Sequence, residues 1–190
     1  MHRSANARKP WVVLKLLLDA GADFNRPDKN GGTPLSYASK ERLAGLLRLL
    51  LGKWLTQIGT DGDVNVTDAF GRSPLYYYSR FGDAKTVKCL LDAGANLNRP
   101  DKNGQTPLYP ASQDGHAEVV KLLLDADADP NLADKYGFTP LFWASIKDNV
   151  ATAVQLLLDA DADPDLADQY GQTPLYWACL RGHTEVSSRR

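Results

Sequence analysis

The chain of 190 residues has the length of one compact domain or of one continuous repeat array. Hydrophobic residues make up 43% and charged residues 24%, close to the globular average, which argues against a disordered or fibrous chain. With 22 Lys and Arg against 23 Asp and Glu, the net charge of -1 leaves no overall basic surface for nucleic acid or anionic lipid.

The N-terminal apolar run from Trp11 to Leu18 looks at first like a signal peptide. Lys15 interrupts the run, Asp19 ends it, and a similar sequence returns at 119–129, where no signal peptide could act. The run therefore predicts a core helix. No stretch reaches the roughly 18 uninterrupted apolar residues of a membrane span, which predicts no interaction with a membrane.

Two phrases recur along the rest of the chain. The first is GGTPLSYAS at 31–39, GRSPLYYYS at 71–79, GQTPLYPAS at 104–112, GFTPLFWAS at 137–145 and GQTPLYWAC at 171–179. The second is LLLDAGADFN at 16–25, CLLDAGANLN at 89–98, LLLDADADPN at 122–131 and LLLDADADPD at 156–165. Their spacing indicates a unit of about 33 residues, which is the signature of a repeat protein.

The first phrase predicts the start of a short helix. A hydroxyl residue precedes a proline in each copy, and this pair combines an N-cap with the residue best suited to the first helical position. The five predicted caps are Thr33, Ser73, Thr106, Thr139 and Thr173. Pro110 lies inside one of these helices, where it removes the first intrahelical hydrogen bond and predicts a loose start.

The second phrase predicts a second helix, antiparallel to the first. In the copy at 116–124, Val120, Leu123 and Leu124 recur at the three- and four-residue spacing of one helical face. The helix is expected to end in a left-handed residue, which is Gly in two copies and Asp127 or Asp161 in the others. The stretch that follows, such as 96–104, is rich in turn residues and predicts a projecting, hairpin-like loop.

One copy carries seven extra residues within the segment 52–59, with Trp54, Leu55 and Ile58 near the apolar face of its second helix. Two interpretations stay open: a longer helix that shelters the neighbouring core, and a docking ridge on the outer side.

The charge distribution along the chain also has two interpretations. Residues 101–167 hold twelve acidic residues against four lysines. These acidic residues belong either to solvated loops and helix ends or to one pole of a bipolar docking surface.

Catalytic and metal chemistry find little support in the sequence. The alternating aspartates at 125–129 and 159–165 begin like a calcium loop, but Pro130 and Pro164 stand where that motif needs Gly. Cys89 and Cys179 match no disulfide or zinc spacing, which predicts an intracellular, cytoplasmic or nuclear protein. We therefore expect no catalytic residue, no cofactor and no metal ligand.

The repeating unit resembles the ankyrin repeat, with its TPL-containing first helix and the GAD-type exit from its second helix. The resemblance implies an all-α solenoid of antiparallel helix pairs with projecting hairpin-like loops, forming a single domain over 1–190. Its predicted parts are a half-repeat at 10–27, repeats at 28–67, 68–100, 101–133 and 134–167, and an incomplete repeat at 168–190. The aromatic-rich TPLYWA variant also resembles ankyrin arrays of fungal intracellular receptors.

The resemblance implies a non-catalytic scaffold that binds a protein partner on its loops and on the concave face of its first helices, and no nucleic acid. Aromatic and arginine side chains are the usual interface anchors. The expected contact residues are Phe70, Arg72, Arg80, Phe81, Lys102, Gln105, Lys135, Tyr136, Phe138, Tyr170 and Arg181. Of these, Phe70, Tyr136, Phe138 and Tyr170 are expected to face solvent as a ridge.

One alternative is a structural or self-associating element, or a fragment of a larger multidomain receptor, whose uncapped ends stack on another segment. Repeat arrays need polar caps at their ends. The helix at 174–181 is expected to fray, because Leu175, Trp177 and Ala178 are followed by too short a segment for a full second helix.

Overall fold

The computed structural model describes residues 9–23, 26, 28–29, 34, 37, 49–50, 52, 64–65, 67–147 and 151–181. Three predictions lie outside these residues: the Thr33 cap, residues 53–59 of the insertion, and the segment after residue 181.

Within the described residues the chain is all α-helical, with eight helices and no strand, as predicted. The helices are α1 (Lys9–Asp19), α2 (Pro74–Phe81), α3 (Ala84–Asp92), α4 (Leu108–Gln113), α5 (Ala117–Asp125), α6 (Pro140–Ser145), α7 (Ala151–Asp159) and α8 (Pro174–Leu180). The chain divides into two compact units, one of residues 1–63 and 67–70 and the other of residues 64–66 and 71–190.

The first unit contains α1, which confirms the predicted N-terminal helix. The helix ends at a left-handed Gly21 with φ 83°, and the Ala22 N–H donates to the Leu17 carbonyl at 3.0 Å. Leu18 is buried, but the side chains of Val12, Val13, Leu16 and Leu17 are exposed. The prediction of a core helix was therefore wrong for most of its described apolar side chains.

The second unit consists of stacked helix pairs. The first helices α2, α4, α6 and α8 contact one another in succession, and so do the second helices α3, α5 and α7. Each of α2, α4 and α6 also contacts the second helix of its own pair. The result is two helical layers, in which a repeat is stabilised by its neighbours rather than by a core of its own.

The core of the second unit lies between these layers and repeats with the sequence. Leu75, Leu108 and Leu141 hold equivalent positions in three first helices and are buried. Leu90, Leu123 and Leu157 do the same in the second helices. Burial of each such leucine contributes about 1.5 to 3 kcal/mol.

Hydroxyl caps start three of the first helices as predicted. Ser73 Oγ accepts the Tyr76 N–H at 3.2 Å, Thr139 Oγ1 accepts the Phe142 N–H at 3.2 Å, and Thr173 does the same for its own helix. These helices begin at the proline that follows the cap. The cap and the preset φ of proline therefore determine where each helix begins.

The predicted cap at Thr106 was wrong. The helix α4 begins at Leu108, one residue later than its counterparts, and Thr106 Oγ1 is buried without a hydrogen-bond partner. The reason is Pro110, which has no N–H to donate to the Thr106 carbonyl, whereas Trp143 donates to Thr139 at 3.3 Å in α6. The predicted loose start of α4 is thus confirmed.

The turns after the second helices contain the left-handed residues that the sequence predicts. Gly94 has φ 81°, and Asp127 and Asp161 have φ values of 66° and 59°. Glycine adopts this conformation without a steric penalty, and Asp tolerates it better than most residues. The substitution of Asp for Gly in two of the repeats therefore leaves the backbone of the turn unchanged.

Asparagine side chains tie successive turns together. Asn98 Oδ1 accepts the Asp129 N–H at 3.0 Å, and Asn131 Oδ1 accepts the Asp163 N–H at 2.8 Å. Asn65 makes the equivalent bond with the turn that follows it. We refer to residues 125–131 and 159–165 as the turn loops.

Candidate protein-binding surface

Three short loops precede the first helices α4, α6 and α8, at residues 101–105, 134–138 and 168–172, and we call them the tip loops. Each begins with an aspartate that is buried. Asp134 Oδ1 accepts the N–H groups of Tyr136 at 2.9 Å and Phe138 at 3.0 Å, and Asp101 makes the same pair of bonds in its loop. The aspartate thus holds the loop backbone in one conformation.

The loop at 168–172 has the same two hydrogen bonds to its aspartate, and a third donor bonds to that aspartate as well. Asp168 accepts the N–H groups of Tyr170 and Gln172, and the Trp177 indole Nε1 donates to its other oxygen at 3.1 Å. Burial raises the pKa of Asp168, but the bonds from Gln172, Tyr170 and Trp177 lower it more, so the net pKa lies below the usual value. The carboxylate is therefore ionised and already bonded.

The tip loops lie side by side and are hydrogen-bonded to one another. The Lys135 N–H donates to the Asn103 carbonyl at 2.9 Å, and the Gln169 N–H donates to the Tyr136 carbonyl at 3.0 Å. The contact is close enough to require glycine. A Cβ at Gly137, which has φ 85°, would lie 2.9 Å from the Cα of Asp168.

Two tyrosines are the most exposed aromatic side chains of the tip loops. Tyr136 is 44% exposed and Tyr170 is 72% exposed, and they hold equivalent positions in adjacent loops. The Lys135 Nζ lies 5.2 Å from the centroid of the Tyr136 ring, within reach of a cation–π contact. These side chains are presented to solvent from a backbone that the buried aspartates hold fixed.

The other two residues of the expected aromatic ridge differ from these tyrosines. Phe138 is half-buried and stacks on Phe142 with ring centroids 4.1 Å apart. It also meets the Trp143 ring edge-on at 5.8 Å. Phe70 is half-buried in the first unit. Part of the surface of Phe138 is therefore used to join the tip loop to α6.

Arg72 and Gln105 connect two repeats. Arg72 Nε lies 3.3 Å from Asp101 Oδ2, and its guanidinium lies 5.3 Å from the centroid of the Tyr76 ring. The Tyr76 hydroxyl donates to Gln105 Oε1 at 3.1 Å. Burial lowers the pKa of Arg72, but Tyr76, Tyr77 and Asp101 raise it above its usual value, so the guanidinium stays charged.

The remaining predicted contact residues lie at the ends of first helices or in a tip loop. Arg80 and Phe81 are half-buried at the end of α2, where the Arg80 carbonyl lies 3.0 Å from His116 Nε2. That contact requires the hydrogen of His116 to be on Nε2. Lys102 is exposed in the first tip loop, and Arg181 is exposed after α8.

The buried aspartates are the feature of the candidate surface that sequence reasoning missed. Asp68, Asp101, Asp134 and Asp168 recur at intervals of 33 or 34 residues, six residues before the proline of each first helix. That regularity was visible in the sequence, but spacing alone does not show that a carboxylate is buried beneath its own loop.

In the part of the chain that the structure describes, no group of three or more His, Cys, Asp or Glu side chains could hold a metal ion. No described helix combines the length and the apolar character needed to cross a membrane.

The chain is similar to known proteins in its repeat sequence. A family model described as ankyrin repeats in three copies matches residues 43–134 and 111–188, which together are well over half of the chain. The chain is also 31% identical over 97 residues to Tyrosine-protein kinase Shark of Drosophila melanogaster. The aligned region is 51% of this chain and 10% of that kinase, so the chain spans about a tenth of the length of the relative.

Proposed function

Because the chain belongs to the ankyrin-repeat family, we propose that it binds a protein partner through its tip loops and the adjoining first helices, without catalysis or a cofactor. Ankyrin repeats are generally protein-interaction modules. The observation that supports this surface most strongly is the exposure of Tyr136 and Tyr170 on a fixed backbone.

Exposed tyrosines on ordered loops favour binding for an energetic reason. A tyrosine contributes a large contact area and loses little conformational entropy when a partner covers it. Since the buried aspartates already fix the loops, little further ordering is needed on association. Lys102, Lys135 and Arg181 are the exposed cations that would surround these anchors.

The other predicted contact residues have different roles in this proposal. Phe138, Arg80 and Phe81 are half-buried and would contribute the margin of the surface, whereas Phe70 is half-buried in the first unit. Arg72 and Gln105 would hold adjacent repeats in register beneath it, through Asp101 and the Tyr76 hydroxyl.

The non-catalytic part of the proposal is supported by the state of the tip-loop carboxylates. Asp101, Asp134 and Asp168 are buried and accept backbone N–H groups, which leaves them poorly placed to exchange protons with a substrate. The kinase relative matches over only a tenth of its own length, so we do not propose tyrosine-kinase activity for this chain.

We place the protein in a reducing, intracellular compartment. Cys89 and Cys179 are both free and exposed. Exposed free thiols are more typical of proteins in reducing compartments than of secreted proteins.

Alanine substitution tests the binding surface once a partner has been captured with the chain as bait. Tyr136→Ala and Tyr170→Ala are expected to weaken binding by about 1 to 3 kcal/mol each and to leave the melting temperature unchanged. Leu158→Ala, an exposed apolar residue of α7, is the matched control and should change neither quantity. A lower melting temperature with intact affinity would show that the tyrosines are structural and that the surface is wrong.

A second candidate function is self-association through α8. Leu175, Tyr176 and Leu180 of this helix are exposed together, and a contiguous apolar face is typical of an interface. Light scattering coupled to size exclusion distinguishes the candidates. A stable dimer that Leu175→Glu dissociates would favour self-association, and a monomer at all accessible concentrations would exclude it.

A further inference from the structure

The tip loops carry exposed cations and no exposed carboxylate. The structure describes every residue of the three tip loops. Their acidic side chains are the three buried aspartates, Asp101, Asp134 and Asp168. Lys102 and Lys135 are exposed in successive loops. Since the aspartates are buried and already bonded to backbone N–H groups, lysines are the charged side chains of the tip loops that an approaching molecule can contact.

The uncharged groups that accompany these lysines add further hydrogen-bond donors. Tyr136 and Tyr170 present hydroxyl groups, and Gln169 presents a side-chain amide at the position equivalent to Lys102 and Lys135. A carboxylate accepts hydrogen bonds from all of these groups, and bonds to an ionised acceptor are about twice as strong as neutral ones.

The spacing of these donors is fixed rather than variable. The bond from the Lys135 N–H to the Asn103 carbonyl holds the first two loops together, and the bond from Gln169 to Tyr136 does the same for the next two. A partner segment that crosses the loops in sequence therefore meets one donor set per repeat, in register with the array.

The charge pattern and the fixed spacing lead to one inference, which rests on the proposed function and specifies its partner. We propose that the tip loops recognise a short, extended, acidic segment of a protein. Carboxylates of that segment pair with Lys102 and Lys135, and its chain packs across the rings of Tyr136 and Tyr170.

The turn loops limit how long the acidic segment can be. Their seven aspartates are all exposed, at positions 125, 127, 129, 159, 161, 163 and 165. The turn loop at 125–131 ends only three residues before Asp134, so its negative potential lies near the base of the tip loops. With a Debye length of about 8 Å at physiological salt, a long polyanion would meet more of that negative potential than a short acidic segment. This argument favours an acidic peptide over a nucleic acid.

Display selection of random short peptides on the intact chain, followed by affinity measurements on the strongest binder, tests the proposal. We expect the selected peptides to be enriched in Asp and Glu. We expect the double reversal Lys102→Glu with Lys135→Glu to weaken binding about tenfold or more. Lys121→Glu changes the charge of an exposed lysine on α5 in the same way, and it should weaken binding less than about twofold.

A second variant moves the affinity in the opposite direction. Asp163→Asn with Asp165→Asn reproduces the residues that the chain already has at Asn96 and Asn98, so the turn should fold unchanged. Removal of two negative charges should strengthen binding of the acidic peptide by about two- to threefold. An increase in sodium chloride from about 0.1 M to about 0.5 M should reduce both charge effects. If this variant weakens binding, the partner is not acidic.

The outcomes separate this proposal from the proposed function. If the selected peptides are neutral or basic but lose affinity with Tyr136→Ala, the acidic partner is wrong and the binding surface stands. If the reversal and both tyrosine substitutions leave affinity unchanged, the acidic partner and the binding surface are both wrong. An oligothymidylate probe that binds as tightly as the peptide, with the same sensitivity to the lysine reversal, would overturn the peptide assignment.

Discussion

The inner repeats and the last described repeat contain the same helix-starting phrase but bury it to different extents. Leu108 and Leu141 are 0% and 3% exposed, whereas Leu175, at the same position of the phrase, is 70% exposed. The caps of α6 and α8 are nevertheless the same, since Thr139 and Thr173 both accept the N–H of the third residue of their helices. The phrase thus determines the local helix, and neighbouring repeats determine how much stability it contributes.

Hydrogen exchange should give the largest difference between these regions. We expect amides of α5 to open with nearly the full unfolding free energy and those of α8 to open with almost none, a gap of about 5 kcal/mol. The reason is that α5 has helices packed on both sides in its layer, while most large side chains of α8 are exposed. Equal protection in the two helices would mean that the exposed face of α8 is covered in solution.

Truncation of the equivalent leucines should reproduce this difference in equilibrium unfolding. We expect Leu108→Ala to lower the free energy of unfolding by about 2 to 5 kcal/mol, because it leaves a cavity in the core. Leu175→Ala should change it by less than about 0.5 kcal/mol, because the side chain is already exposed. Urea denaturation measures both, and a large loss for Leu175→Ala would contradict the comparison.

The capping residues test whether local signals act independently of burial. Thr139→Val should cost about 1 kcal/mol, because it removes the bond to the Phe142 N–H. Thr106→Val should be neutral or slightly stabilising, since the hydroxyl it removes is buried without a partner. Thermal or urea unfolding of the two variants decides the matter, and equal losses would show that Thr106 caps its helix in solution.

The left-handed aspartates should give the smallest effect. Asp127→Gly and Asp161→Gly are each expected to raise the free energy of unfolding by less than about 1 kcal/mol, because glycine adopts the observed φ without a penalty. Similar gains at both sites would show that the stability of the turn is a local property, whether the turn follows α5 or α7. A lower denaturant midpoint for both variants would instead indicate that these carboxylates make specific stabilising bonds.

Much of the fold was predictable because its signals are local. The caps at Ser73, Thr139 and Thr173, the late start of α4 and the left-handed turns each depend on a few adjacent residues. The prediction at Thr106 was wrong because two local signals conflict there. The loss of the Pro110 N–H prevailed over the threonine cap.

The candidate site was less predictable, since it depends on which side chains the loops bury. Four aromatics were expected to face solvent, but Phe138 stacks on Phe142 while Tyr136 and Tyr170 remain exposed. Phe138 lies two residues after Tyr136, and its contact with α6 depends on packing that the sequence pattern does not show. The same holds for Arg72, whose charge is used against Asp101 within the array.

The sequence by itself determined the repeat length, the helix starts and the turn conformations, because hydrogen bonds and steric limits within a few residues decide them. Tertiary structure decided that the tip-loop aspartates are buried and the lysines beside them exposed, which leaves lysines as the charged side chains that these loops present. It also decided that Leu108 belongs to the core and Leu175 does not. Burial is a property of neighbours that lie a whole repeat away in the chain, and no local pattern contains it.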